Sequence, residues 1–171
     1  MRRTIPTTRR GEAGFVMVEM TGSLLLYLIM IAAGAILVFT MMSSSKLASA
    51  QQGLMSLRMQ VQQLYSGGSD YAGLDNSLAT KAGLVPKSFL RGSKVVTPWG
   101  GEVALAASGD GSSFTISLAE IPQEECTKLA TAQLESWTAV SVNGNAIDKS
   151  TGTASAAQSC NDSNTLVFTS R

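Results

Sequence analysis

Residues 14–42 read GFVMVEMTGSLLLYLIMIAAGAILVFTMM, an apolar run in which Glu19 is the only ionised side chain. A bilayer core about 30 Å thick is crossed by roughly 20 apolar residues in helix, and the residues after Glu19 supply that length. No proline lies between Phe15 and Tyr65, so one helix roughly 75 Å long at 1.5 Å per residue is the economical reading of this stretch. A carboxylate inside such a helix costs a few kcal/mol even on lenient insertion scales. By position alone Glu19 therefore either sits at the membrane interface, where the cost is small, or asks for a partner.

N-terminal to the run, residues 1–14 are polar and basic, contain Pro6, and read as a processed leader rather than as part of the fold. Arg2, Arg3, Arg9 and Arg10 precede the run, against Lys46 and Arg58 shortly after it. That asymmetry predicts a cytoplasmic N-terminus and export of the remainder. The whole chain of 171 residues has a net charge of +1, but loss of the leader leaves nine basic and eleven acidic residues, a net of −2. No basic face for nucleic acid remains, and no nucleic-acid partner is expected. Export also places Cys126 and Cys160, the two cysteines of the sequence, where a disulfide can persist. Two buried free thiols are the alternative.

C-terminal to the run the helix changes character without changing period. Leu47, Leu54, Leu57, Val61 and Leu64 recur at helical spacing, while Gln51, Gln52, Arg58, Gln60 and Gln63 fill other faces. This predicts an amphipathic helix whose stripe packs on a core, ended by Ser66-Gly67-Gly68-Ser69. A short helix is expected over Asp75–Gly83, capped by Asp75 or Asn76 and closed by Gly83. The period then becomes two. Val103 and Leu105, then Phe114, Ile116 and Leu118, alternate with smaller or polar residues around the turn-rich 108–112, which predicts an antiparallel hairpin. Pro122 suits a first helical position, with Glu124 and Glu125 in the first turn and Lys128 later, so a helix is expected from Pro122 to about Leu134. Strands are expected at Ala139–Val142, before Asn143-Gly144, and at Leu166–Thr169. The segment Asp148–Asn164, rich in Ser, Thr, Ala and Gly, is expected to drift unless Cys160 tethers it. The fold class is α+β, a long N-terminal helix on a small antiparallel sheet.

Several other residues are weighed for chemistry. Trp99 and Trp137 are expected as buried anchors rather than adhesive surface groups. Asp70, Asp75 and Asp110 do not form a dense oxygen-ligand loop, so no metal is expected. With no histidine, no Gly-rich phosphate loop and no serine nucleophile motif, no catalytic residue, no cofactor and no enzymatic function are expected. Gly22 and Gly34 weaken the membrane helix, serving either close helix packing or a local loosening on assembly.

The hexapeptide Gly14-Phe15-Val16-Met17-Val18-Glu19 resembles the type IV prepilin signal. The resemblance implies cleavage by a prepilin peptidase between Gly14 and Phe15, methylation of Phe15, and a role for Glu19, as the fifth mature residue, in neutralising the N-terminal amine of a neighbouring subunit. Thr97-Pro98-Trp99-Gly100-Gly101, Ile121-Pro122-Gln123-Glu124-Glu125-Cys126, Val142-Asn143-Gly144, and Cys160 before Asn164-Thr165-Leu166-Val167-Phe168 are similar to the type IVb pilins, especially thin-pilus pilins of conjugative plasmids. That likeness implies a Cys126–Cys160 disulfide that bounds a C-terminal surface region. Phe15 departs from it, being commoner in type IVa pilins.

The implied organisation is a cleaved cytoplasmic leader over 1–14, a transmembrane or filament-core half-helix over 15–42, an amphipathic half-helix over 43–66, and a globular periplasmic or extracellular domain over 67–171. The implied function is polymerisation with copies of itself into a pilus for attachment or conjugative contact. The implied partners are the peptidase, an inner-membrane platform protein, an assembly ATPase and a secretin, with the membrane holding the subunit before assembly. Two rivals share parts of this pattern. A pseudopilin of type II secretion has the same leader and helix, and a secreted soluble protein would be cut after Ala48-Ser49-Ala50.

Overall fold

The computed structural model describes residues 13–68 and 70–171, and between 13 and 42 it describes side chains only at 24 and 26–31. The expected leader therefore lies, but for its last two residues, outside the described residues. The chain divides into two units, Met1–Ser43 and Ser44–Arg171.

In the first unit the described backbone is helical, the beginning of α1 (Ala13–Leu64). Leu26, Tyr27, Leu28, Ile29, Met30 and Ile31 are all exposed, so the helix is apolar around more than a full turn. An apolar surface on every face distinguishes it from the amphipathic helices of globular surfaces. Among the described residues no helix is long and apolar enough to cross a membrane, and most side chains of the run at 15–42 are outside that set.

In the second unit α1 presents the predicted stripe. Ala50, Leu54, Leu57 and Val61 are fully buried, and Leu47 packs partly against them. Leu64 corrects the expectation: it is 47% exposed, because it sits at the margin of the stripe in the last turn of the helix. Gly53 is buried as well. A Cβ there would lie 2.9 Å from the Phe89 ring, so the absence of a side chain lets Phe89 close onto the helix.

α2 (Asn76–Lys81) is capped by Asp75, whose carboxylate accepts from Leu78 N–H, and Gly83 follows at φ +69°. A 3-10 turn at Lys87–Phe89 leads to a small hairpin of β1 (Leu90–Arg91) and β2 (Lys94–Val95), which the sequence reading did not foresee. Two residues per strand carry no legible alternation.

The main sheet is antiparallel throughout. β3 (Val103–Ala107) and β4 (Phe114–Ile121) form the predicted hairpin, with Val103 opposite Leu118 and Leu105 opposite Ile116. α3 (Gln123–Gln133) follows, and Pro122 is its N-cap rather than its first helical residue. Its ψ of 157° keeps it extended, one position earlier than expected. Next come β5 (Ala139–Val142), the two-residue β6 (Asn145–Ala146), α4 (Gly152–Ser159) and β7 (Asn164–Ser170). The strand order is β3-β4-β7-β5-β6. Phe114, Ile116 and Leu118 of β4, Val140 and Val142 of β5, and Leu166 and Phe168 of β7 turn one face into the core that receives the α1 stripe. Alternation of this kind is the period-two signal made physical.

Residues 148–164 are tethered through Cys160 as expected, and a 3-10 turn at Lys149–Thr151 and α4, a helix the sequence does not announce, occupy most of them. Only Ala156 of α4 is buried, so the apolar periodicity that advertises a helix is missing from its sequence.

Candidate functional site

Gly14, Phe15 and Glu19 occupy the first turns of α1. Their side chains lie outside the described residues, so their placement in a helix is what the structure adds. Residues 14–19 are thus continuous with the helix that supplies the core stripe further along.

The disulfide-bounded region is built from local signals. Pro122 fixes the entry to α3, Glu124 lies near its positive end, and Lys128 pairs with Glu124 one turn on. The hydrogen bond between them lowers the Glu124 pKa and raises that of Lys128. The same turn buries Cys126 on the inner face, and Cys160 caps α4 with its N–H on Ala156 O. Cys126 and Cys160 are joined, with Cα atoms 6.0 Å apart and 34 positions apart in sequence. Both are buried, at 0% and 3% exposure, so the bond is shielded from solvent reductants. Gln123 Nε2 donates to Cys160 O at 3.3 Å, a second tie between the two helices.

Beside the disulfide lies a hub that sequence reasoning treated only as a turn and as the end of the 148–164 segment. Asn164, 1% exposed, donates through Nδ2 to Ile121 O at 2.8 Å and Asn161 O at 2.6 Å. Its Oδ1 accepts from Asn161 N–H and from Asn143 Nδ2. Asn143, at φ +52°, also donates to Ser159 O and accepts from Thr165 N–H. Two amides thereby satisfy the ends of β4, β5, α4 and β7 together, which a buried polar group requires. Asn143-Gly144 signals the turn in sequence, but nothing local signals Asn164.

A second junction ties α1 to the end of β7. Arg58, expected outside the apolar stripe, lies half-buried with its guanidinium 5.0 Å from the Trp137 ring centroid. Its Nε donates to Ser170 Oγ at 2.9 Å, and another nitrogen donates to Ser136 O. Gln62, one turn on, donates to Arg171 O at 2.7 Å. Trp137 is a buried anchor as expected, its ring 5.3 Å from that of Phe168 and tilted 50° to it, whereas Trp99 is only half-buried at the edge of the core.

The aspartates of the loops serve turns. Asp110 accepts from Ser108 Oγ, Ser112 Oγ and Ser112 N–H, and those bonds hold its pKa down to about 2. Asp70 accepts from Ala72 N–H and Asp75 from Leu78 N–H. Burial, with the charges of Asp70 and Asp75, raises the pKa of the Tyr65 phenol. Among the described residues no group of three His, Cys, Asp or Glu side chains is placed to hold a metal ion. An open groove of about 770 Å³ runs between α2, β2 and the C-terminal end of β4, lined by Lys81, Lys94, Glu102 and Glu120 among others.

A family model described as PilS N terminal matches residues 44–171. The major structural subunit of the bundle-forming pilus of Escherichia coli O127:H6 (strain E2348/69 / EPEC) is 26% identical over 95 residues, 53% of this chain and 49% of that protein. The corresponding subunit of Escherichia coli O111:H- gives the same figures. The alignment thus spans about half the length of these relatives. Among solved structures, a type IV b pilin from Salmonella typhi superposes with a TM-score of 0.56 at 22% identity, over 73% of this chain and 97% of that one. TcpA, a type IV pilin from Vibrio cholerae El Tor biotype, gives 0.57 at 16% identity, over 74% and 99%. At those identities the likeness is one of fold.

Proposed function

The chain belongs to the PilS N-terminal family and has the fold of a type IVb pilin, and from that premise we propose that it is the structural subunit of a type IV pilus. In this reading a prepilin peptidase removes residues 1–14, Phe15 becomes the methylated N-terminus, and the subunit waits in the inner membrane with its C-terminal domain in the periplasm. Polymerisation then withdraws residues 15–42 from lipid into a filament of identical copies, driven by a platform protein and an ATPase and delivered through a secretin. The extracellular filament serves attachment or conjugative contact.

The observation that carries the reading is one helix, α1, whose residues are apolar on all faces at 26–31 and striped at 47–61. An all-apolar surface needs lipid or other copies of itself, while a stripe needs a single core. One continuous element with both demands suits a subunit that exchanges bilayer for neighbours without refolding its globular part. Glu19 fits the same scheme, because a carboxylate and an ammonium that are each costly in an apolar surround are tolerable as a pair.

Mass spectrometry of filaments sheared from cells tests it. The expected result is a dominant subunit beginning at methylated Phe15 with Cys126 linked to Cys160. A mature chain beginning at Gln51 would mean a conventional secreted protein. A chain retaining its arginines in the membrane, or one that builds only short periplasmic rods, would equally remove the pilus reading, the latter in favour of a type II secretion pseudopilin.

A further inference from the structure

An uncovered sheet edge offers unpaired N–H and C=O groups to any passing strand. The five-stranded sheet has two edges, the two-residue β6 and the five-residue β3. Val103–Ala107 carries neither charge nor proline, the residues that otherwise blunt an edge. In its register with β4, Ala104 faces Ser117 and Ala106 faces Thr115, while Val103, Leu105 and Ala107 direct backbone groups the other way.

Those outward groups are met by a segment that is not a strand of the sheet. Ala107 N–H donates to Leu74 O at 3.3 Å, and Asp75 forms an isolated antiparallel bridge with Ala106. There the backbone turns away into α2. The side chain of Asn76 continues where the backbone leaves off: its Oδ1 accepts from Leu105 N–H at 2.8 Å, and its Nδ2 donates to Val103 O at 2.7 Å. A primary amide offers the same donor and acceptor as a peptide unit, so one side chain pairs with two successive outward positions as a strand residue would. Helix capping is not its task, because Asp75 already accepts from Leu78 N–H at 2.7 Å.

We propose that Asn76 is a strand mimic that closes the β3 edge and so prevents this edge from pairing with the same edge of a second copy. The device is independent of the filament reading, since it concerns only the second unit of one chain.

The test uses the full chain in detergent micelles. In the unmodified protein a scalar coupling through the hydrogen bond should connect Leu105 N to Asn76 Cγ, and its absence would overturn the proposal. Asn76→Ala keeps the Asp75 cap and favours helix at that position, so α2 has no reason of its own to melt; Trp137 emission verifies the folded core. The Leu105 amide should then exchange about tenfold faster or more while amides within β4 keep their protection, and dimers with β3–β3 contacts should appear as concentration rises. Unchanged Leu105 exchange, acceleration spread evenly over β3, β4 and β7, or a folded variant that stays monomeric at every concentration would each refute it.

Discussion

Asp110 and Gly53 show how single residues hold this molecule in ways their neighbours explain. The Asp110 carboxylate collects two hydroxyls and an amide in the turn between β3 and β4, and its pKa falls from 3.8 to about 2. A depressed carboxylate pKa means that the folded state binds its proton less readily than the unfolded chain does. The turn's contribution to stability is therefore complete above the ordinary value of 3.8 and is lost as pH falls through about 2. An NMR titration should place the Asp110 midpoint near that lower value, and Asp110→Asn should abolish the corresponding pH dependence of hairpin amide protection. At Gly53 the limit is space. A Cβ would meet both the Phe89 ring and Ser88 Oγ at 2.9 Å, and Phe89 is fully buried. Gly53→Ala gains helix propensity, yet overpacking of this kind costs about 1–3 kcal/mol. Thermal melts should therefore show the variant destabilised, in contrast to the stabilisation that propensity alone predicts.

At the scale of elements, α4 is the most dependent part of the fold. It buries one side chain, Ala156, and takes its order from the Cys160 disulfide at one end and the Asp148 turn at the other, where the carboxylate accepts from Ser150 N–H. Closing a loop of this size removes unfolded-state entropy worth roughly 4 kcal/mol in the chain-entropy model. Cys126→Ser with Cys160→Ser should lower stability by that order in denaturant titrations. Amides of 152–159 should lose exchange protection before those of β4 and β7. Tethering also explains why composition misled: Ser, Thr, Ala and Gly form a helix here because a covalent bond and the Asn143–Asn164 hub fix the ends of the segment, neither of which appears in local periodicity.

For the whole molecule, the assembly reading turns on Glu19. Glu19→Ala removes the charge that an apolar surround penalises without touching Gly14 and Phe15, between which cleavage is proposed, or the core of the second unit. The expected outcome is processed subunit that accumulates in the membrane while filament yield falls by an order of magnitude or more, about 1.4 kcal/mol per tenfold in the assembly equilibrium. Immunoblots of sheared and membrane fractions measure both quantities, and filament yield equal to the unmodified protein would remove the pairing role.

Period and chemistry of neighbours were enough, in sequence, for α1, the β3–β4 hairpin, α3, β5 and β7, because each is specified by residues within a few positions of one another. Leu54, Leu57 and Val61 announce a buried stripe, and Phe114, Ile116 and Leu118 announce a buried face, whatever they are buried against. The tertiary structure alone decided that Arg58 turns inward onto Trp137, that Asn143 and Asn164 together satisfy four segments, that Asn76 stands in for a strand, and that residues 152–159 are helical. In each of these the partner lies far away in sequence or on another element, and a polar side chain carries no periodic mark of which distant backbone group it will meet. Hydrophobic burial is non-directional and so is written in pattern; hydrogen bonding is directional and is fixed only once the chain has brought donor and acceptor together.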